Sequence, residues 1–255
     1  MARDLFDLSG RIALITGSGQ GIGLTLARGL AAAGATVVLN DIVGDRLDAA
    51  VEGLRAEGLL AHGSLFDVTQ PEQVEAAIAE VEERVGPIEI LVNNAGIQYR
   101  APLEDFPLDA WNRLMAVNVT GVFLVSQAVG RRMIPRGHGK IIHICSMQSE
   151  LARPTIAPYT ATKGAVRNLV RGMCTDWARY GLQVNGLGPG YFITELTRPL
   201  ADDPAFDAWL RGRTPAGRWG DVSELVGAAI FLASDASSFV NGQVIYVDGG
   251  MLAAV

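Results

Sequence analysis

The sequence predicts an α/β fold in which a doubly wound parallel sheet is flanked by helices. Three observations carry that expectation. Short β-branched runs alternate with Ala/Leu/Glu-rich amphipathic stretches almost from end to end, which is the rhythm of βαβ units. Most of the runs are apolar at consecutive positions, as strands covered on both faces require. No internal repeat, low-complexity tract or linker interrupts the 255 residues, a length ordinary for one α/β unit, so a single domain over 1–255 is expected.

Strands are expected at 12–16, 36–40, 61–66 (the weakest), 88–93, 140–145, 183–187 and 244–247. Between them, helical periodicity covers 22–33, 45–57, 71–85, 108–134, 157–180 and 222–233. Pro71 suits a first helical turn and Asp221 a helix cap before Val222. The rhythm fails over 191–218, where Pro199, Pro204 and Pro215 surround an amphipathic patch of Phe206, Trp209 and Leu210. This segment is read as a lobe over the C-terminal edge of the sheet, the edge at which open α/β sheets bind ligands.

The first strand runs straight into Thr16-Gly-Ser-Gly-Gln-Gly-Ile-Gly23 and then a helix. Glycines there let backbone approach a pyrophosphate, and the helix start adds free N–H groups and partial positive charge. Gly17, Ser18, Gln20, Gly21, Ile22 and Gly23 are therefore candidate nucleotide contacts. Asp41 ends the second strand eighteen residues beyond Gly23. An acid in that place accepts hydrogen bonds from ribose hydroxyls and repels a 2′-phosphate, which favours NAD and leaves NADP as the second choice. Gln20, where a basic residue would hold a phosphate, points the same way. Asp67 and Val68 are candidates for the adenine edge, or a turn. Asn94, Ala95 and Gly96, closing the fourth strand, would pass close to the ribose.

Tyr159 and Lys163 are four residues apart in Tyr-Thr-Ala-Thr-Lys, and Ser146 lies thirteen residues before Tyr159. A spacing of four places both side chains on one helix face. A phenol is a poor base near neutrality, and an adjacent ammonium favours its phenolate. Tyr159 can then exchange a proton with an alcohol or ketone as hydride moves to or from a nicotinamide, with Ser146 orienting the substrate oxygen. Asn118 is an amide in an apolar helix, read either as a buried residue bonded to backbone or as a holder of water linking Lys163 to solvent.

Taken in order, Thr16-Gly-Ser-Gly-Gln-Gly-Ile-Gly, Asn93-Asn-Ala-Gly, Asn118, Ser146, Tyr159-Thr-Ala-Thr-Lys163, Pro189-Gly190 and Asn241-Gly242 resemble the short-chain dehydrogenase/reductase family over the whole chain. The resemblance implies a single-domain Rossmann fold, with a seven-stranded parallel sheet in the order 3-2-1-4-5-6-7. It also implies a catalytic set of Asn118, Ser146, Tyr159 and Lys163, a cofactor flanked by Pro189, Gly190, Phe192 and Thr194, and a homotetramer. Thr162 stands where Ser is common before the lysine, and Gly188 where Ala usually precedes Pro-Gly. Neither touches the chemistry.

Within that family, Asn93-Asn-Ala-Gly-Ile-Gln-Tyr-Arg100, Ile144-Cys-Ser-Met-Gln-Ser-Glu-Leu151 and Arg213-Thr-Pro-Ala-Gly-Arg-Trp-Gly220 resemble the gluconate 5-dehydrogenase group, which interconverts D-gluconate and 5-dehydro-D-gluconate. Many of that group use NADP. A sugar acid needs a cation for its carboxylate, and a guanidinium supplies paired hydrogen bonds. Arg100 and Arg153 are the candidates, with Gln148, and the neighbouring Ser149 and Glu150, available for hydroxyls. A related sugar acid of the 2-dehydro-3-deoxy-D-gluconate type, a neutral polyol, and a catalytically silent nucleotide-binding sensor are the competing readings.

A net charge of −6 with no Lys/Arg run gives no electrostatic reason to expect nucleic acid or an anionic membrane as partner. Cys145 and Cys174 sit in apolar segments and read as thiols rather than a bridge, and His62, His138 and His143 lack metal-ligand spacing. Acids occupy the place of a signal-peptide core, and no later stretch was expected to reach the ~20 apolar residues that span a bilayer. The expectation is a soluble cytoplasmic protein without a metal.

Overall fold

In a computed structural model that describes residues 5–195 and 197–254, seven parallel strands form one sheet in the order β3-β2-β1-β4-β5-β6-β7. The ends of the chain, 1–4 and 255, and position 196 in the lobe lie outside the described residues. The strands are β1 (Ile12–Ile15), β2 (Thr36–Asp41), β3 (Ala61–Leu65), β4 (Ile88–Asn93), β5 (Gly139–Ile144), β6 (Leu182–Pro189) and β7 (Val244–Val247). The order is the one the family resemblance implies. Half of the strand bounds differ from the expected ones, by one or two residues; β6 runs further because it keeps pairing with β7 through Pro189, and β2 because it pairs with β3 through Asp41.

Alternation along β1 divides the core into two layers. Ala13 and Ile15 pack with Leu26, Leu30, Leu54 and Leu232, on helices α1 (Gly21–Ala32), α2 (Gly44–Ala56) and α9 (Val226–Ala233). Ile12 and Leu14 turn to the opposite face and meet Val74, Ile78, Val125 and Val129, on α3 (Pro71–Arg84) and α5 (Val122–Arg136). Leu14, Leu26, Leu30 and Ile78 have no exposed surface, and each such side chain contributes roughly 1.5–3 kcal/mol.

Caps fix where helices begin and end. Asp221 accepts from the Ser223 N–H while Glu224 accepts from the Asp221 N–H, a capping box that starts the turn Val222–Leu225 leading into α9. Gly137 ends α5 at φ 73°, a left-handed position that glycine adopts without strain.

The helix expected over 108–134 is interrupted. α4 (Leu108–Met115) and α5 are joined by a π-helical turn at Ala116–Gly121, and this wider turn carries Asn118. By length and composition the stretch Leu108–Arg136 could cross a bilayer, which corrects the expectation that no stretch could. Half of its most apolar window is buried, and it packs on α3, β4 and α6 (Ala157–Trp177).

The lobe contains α7 (Arg198–Ala201) and α8 (Pro204–Arg213), with Asp203 capping α8 through the Ala205 N–H at 2.9 Å. Leu210 packs with Met147, Trp219 and Met251, so the lobe rests on the segment that follows β5.

Candidate active site

At the C-terminal edge of the sheet lies a cleft of ≈ 350 Å³. Its nucleotide end is built by the turn between β1 and α1. Thr16 Oγ1 accepts from the N–H groups of Asn94 (3.0 Å) and Ala95 (3.1 Å), and the Asn94 amide donates to the carbonyls of Thr16 (2.9 Å) and Gly17 (2.8 Å). The end of β4 thus fastens the glycine turn. Gly17 has φ 60°, and a Cβ there would stand 2.7 Å from Ala95 Cα, so no other residue fits without displacing backbone. α1 then starts after Gln20 with neither a side-chain cap nor an acid in its first turn. Its N–H groups and positive end remain for an anion.

Gly17, Gln20, Gly21, Ile22 and Gly23 line this end of the cleft, and Asp41, Asp67, Val68, Asn94, Ala95 and Gly96 line its middle. Ser18 does not reach it. Its side chain is buried, donating to the Ile15 carbonyl at 2.8 Å and accepting from the Asn40 N–H at 3.1 Å, so it braces the turn from below. Asp67 lines the cleft while its carboxylate holds its own turn, accepting from the Thr69 N–H and Oγ1 at 2.8 Å each.

Asp41 is not alone. It is 5% exposed and accepts from Arg46 Nε at 3.0 Å, from Arg46 Nη2 at 2.5 Å and from the Val43 N–H at 3.1 Å. Burial pushes its carboxyl up, but the Arg46 hydrogen bond and the Val43 N–H outweigh this and hold it below the ordinary carboxylate value. Arg46, on the first turn of α2, also lines the cleft, as does Glu195 from the lobe. The sequence reading included neither residue.

The chemical end gathers Ser146, Tyr159 and Lys163 on the same cleft, beside Pro189, Gly190, Phe192 and Thr194. α6 sets Tyr159 and Lys163 one turn apart, and Lys163 Nζ lies 5.7 Å from the Tyr159 ring centre. Lys163 is 7% exposed, and its Nζ donates to the Ile144 carbonyl at 2.7 Å, which fixes the ammonium under the end of β5. Ser146 Oγ accepts from the Gln148 N–H at 3.1 Å, leaving its own O–H for a ligand.

Asn118 Oδ1 accepts from the Ile97 N–H at 2.8 Å, while its Nδ2 donates to the Ile97 carbonyl at 3.0 Å and Thr162 Oγ1 at 3.2 Å. The amide is therefore bonded to protein, tying the π turn to the loop after β4 and to α6.

Gln148, Arg100 and Arg153 lie outside the cleft lining, next to its chemical end. Burial, then Arg153, lower the Arg100 pKa, and Tyr191 and Tyr159 oppose the drop, so both arginines and both phenols share one field. The Gln148 side chain is buried with no hydrogen-bond partner for Oε1. Ser149 and Glu150 turn elsewhere: Ser149 Oγ donates to the Lys163 carbonyl at 3.0 Å, and Glu150 takes Arg167 Nε at 2.6 Å and the Tyr246 hydroxyl at 2.8 Å.

Cys145 and Cys174 are free thiols, and burial pushes Cys145 up to about 11. Burial also drives His143 down to about 3, so its imidazole is neutral. Among the described residues no cluster of three or more His, Cys, Asp or Glu side chains could hold a metal ion.

Known proteins of the same shape and sequence frame this site. A family model described as Enoyl-(Acyl carrier protein) reductase matches residues 17–252. A gluconate 5-dehydrogenase of Gluconobacter oxydans is 63% identical over 248 residues, 97% of each chain. A 5-keto-D-gluconate 5-reductase of Escherichia coli is 58% identical over 252 residues, 99% of each chain. The crystal structure of a gluconate 5-dehydrogenase from Burkholderia cenocepacia, in complex with NADP and tartrate, superposes with a TM-score of 0.97 at 66% identity, covering 100% of both chains. Full-length agreement of this kind, on a sheet and cleft built as described, makes the chain a member of the short-chain dehydrogenase/reductase family.

Proposed function

We propose that the protein is a nicotinamide-dependent oxidoreductase that interconverts D-gluconate and 5-dehydro-D-gluconate, with Tyr159 as general acid/base. The observation that carries this reading is the opening of Ser146, Tyr159 and Lys163 onto the same cleft as the glycine turn. The likeness to full-length gluconate 5-dehydrogenases supports the substrate.

The cleft fits a dinucleotide. A glycine turn that admits no Cβ at Gly17, followed by an uncapped helix start, is suited to a pyrophosphate,. When bound, the nicotinamide supplies the acceptor or donor of hydride. The chain handles the proton and the geometry. Ser146 Oγ–H donates to the substrate oxygen and orients it. Tyr159 takes the hydroxyl proton in the oxidative direction and returns it in the reductive one. Lys163, held by the Ile144 carbonyl, keeps its ammonium 5.7 Å from the Tyr159 ring centre, where it faces the group that exchanges the proton. Asn118 positions the loop after β4 against α6. Arg100 and Arg153 hold the carboxylate, and Gln148 reads a hydroxyl.

The NAD preference read from Asp41 assumed a lone carboxylate. Paired with Arg46, Asp41 repels a 2′-phosphate less, and the guanidinium is within reach as its counter-charge. We infer that NADP is accepted alongside NAD, and that Arg46 decides the balance. A single-domain cytoplasmic homotetramer without nucleic-acid or membrane partners is the assembly we infer. Its support is the family resemblance, the net charge of −6, and the exposed Leu108, Trp111 and Phe123 on one helical stretch, a face suited to another subunit.

A substrate panel tests the reading. Initial rates with D-gluconate, 2-dehydro-3-deoxy-D-gluconate and a neutral polyol, each with NAD and NADP, should give the highest kcat/KM for gluconate. A higher value for either competitor reassigns the substrate, and cofactor binding without turnover of any compound would point to a sensor.

A further inference from the structure

Three loops meet outside the cleft lining, close enough to its chemical end that Arg100 and Tyr191 both feel Tyr159. The Ala101 N–H donates to the Thr155 carbonyl at 3.1 Å, which ties the residue after Arg100 to the turn after Arg153. Thr155 holds φ 71°, a left-handed conformation costly for a β-branched side chain, so that turn is set by its surroundings. The third loop is the start of the lobe, where Tyr191 follows Pro189-Gly190.

The Tyr191 ring is clamped edge-on by Phe206 (5.5 Å between centres), Trp219 (5.7 Å) and Trp209 (6.4 Å). Trp219 is itself pinned by a hydrogen bond from Nε1 to Asp207 Oδ1 at 2.7 Å. The same cluster steadies Arg153, whose guanidinium carbon is 5.5 Å from the Phe206 ring centre, a cation–π distance. Burial raises the Tyr191 pKa, while Arg153 and Arg100 pull it down, and Tyr159 acts on it as well. The phenol therefore sits within the field of both arginines and of the proposed general acid/base. Its oxygen is buried, and although Arg153 is near, it makes no hydrogen bond of ordinary geometry. A buried hydroxyl held only by a poorly aligned contact to Arg153 is under-satisfied,, and an oxyanion brought in by the two guanidiniums would complete it.

We propose that Tyr191 is a specificity-determining substrate contact whose hydroxyl donates a hydrogen bond to the carboxylate of a hydroxylated carboxylic acid held by Arg100 and Arg153. The inference rests on the sugar-acid reading above and deepens it. The lobe recognises the acid end of the substrate, while Ser146 and Tyr159 work on the carbinol end. Neutral polyols lack the group that Tyr191 addresses, so Tyr191 discriminates against them.

The test is Tyr191→Phe, which keeps the ring and its three aromatic contacts. Steady-state rates with D-gluconate and with a neutral polyol at saturating NADP, and calorimetric titration of the NADP-loaded enzyme with tartrate as a small hydroxylated diacid, are compared with wild type. The expected result is a KM for gluconate raised ~10-fold and tartrate affinity lowered by a similar factor, for the loss of one hydrogen bond to a charged group. The cofactor KM, kcat and the polyol KM should stay within about 2-fold of wild type, a split that a general loss of structure would not produce. Gluconate KM and tartrate affinity both unchanged would overturn the proposal while leaving the gluconate reading intact. If wild type fails to turn over gluconate, that reading falls, and the tartrate titration alone decides: weaker binding by the variant supports the contact, and equal binding, or none by wild type, removes it.

Discussion

Replacing Arg46 with Gln should turn the enzyme against NADP. In the wild type the guanidinium lies along Asp41, donating through Nε at 3.0 Å and through Nη2, and its side chain is 36% exposed. A 2′-phosphate entering beside Asp41 would recruit the same guanidinium. A charge-assisted hydrogen bond contributes ~1.5–3 kcal/mol, but water screens a group this exposed, so the lower figure applies. About 1.5 kcal/mol corresponds to roughly tenfold in affinity. The variant also leaves Asp41 without its cation facing the phosphate, which adds to the loss. NAD carries no such phosphate and loses only the tidying of the Asp41 rotamer. Initial rates by nicotinamide absorbance, with each cofactor varied at fixed gluconate, should show the KM for NADP raised ~10-fold or more and that for NAD within about 2-fold. Equal changes for both cofactors, or none, would refute the assignment of Arg46 to the phosphate.

Other expectations are more local. Arg100→Ala should lower kcat/KM for gluconate by an amount equivalent to ~1.5–3 kcal/mol and spare a neutral polyol; an unchanged value for gluconate removes Arg100 from the carboxylate site. At the opposite edge of the sheet, Lys140 is 6% exposed, donates to Ser237 Oγ at 3.2 Å, and is driven down from 10.5 to about 8 by burial and by Arg11, with Asp235 opposing. The native state thus sheds this proton near pH 8 while the unfolded chain keeps it to about 10.5, so between those values the unfolded state binds more protons and stability rises with pH. The full difference is on the order of 3 kcal/mol. Lys140→Met should therefore be at least as stable as wild type in denaturant melts at pH 7, with its advantage shrinking as pH rises from 8 to 10; a gap independent of pH would contradict the shift. Cys145, buried and pushed up to about 11, should resist thiol reagents in the native protein while reacting in denaturant.

The strands, the glycine turn and the Ser146–Tyr159–Lys163 arrangement were legible because they follow from local rules: consecutive apolar runs, a strand entering a glycine turn, a spacing of four on a helix; the spatial order of the strands came from the family resemblance alone. What was hidden depends on tertiary pairing. Arg46 stands five residues past Asp41 on the next helix, and a helical charge reads as solvent-facing until the two are seen to meet. Glu150 follows the serine and looks available for hydroxyls, yet Arg167 and Tyr246 bring it away from the site. The π turn at Ala116–Gly121 has no signal in an apolar periodicity, although the amide at Asn118 marks the spot. Tyr191 was grouped with a proline-rich lobe, and only the clamping rings and the buried oxygen single it out.

The central claim is that Tyr159 moves the proton for hydride transfer to and from a sugar acid. Its most direct test records nicotinamide absorbance for wild type and Tyr159→Phe side by side, with D-gluconate and NAD or NADP, and then with 5-dehydrogluconate and the reduced cofactors. The account predicts turnover by wild type in both directions, and a loss of at least ~100-fold in kcat for the variant with unchanged cofactor affinity. A variant that keeps its rate, or a wild type silent in both directions with both cofactors, would contradict it.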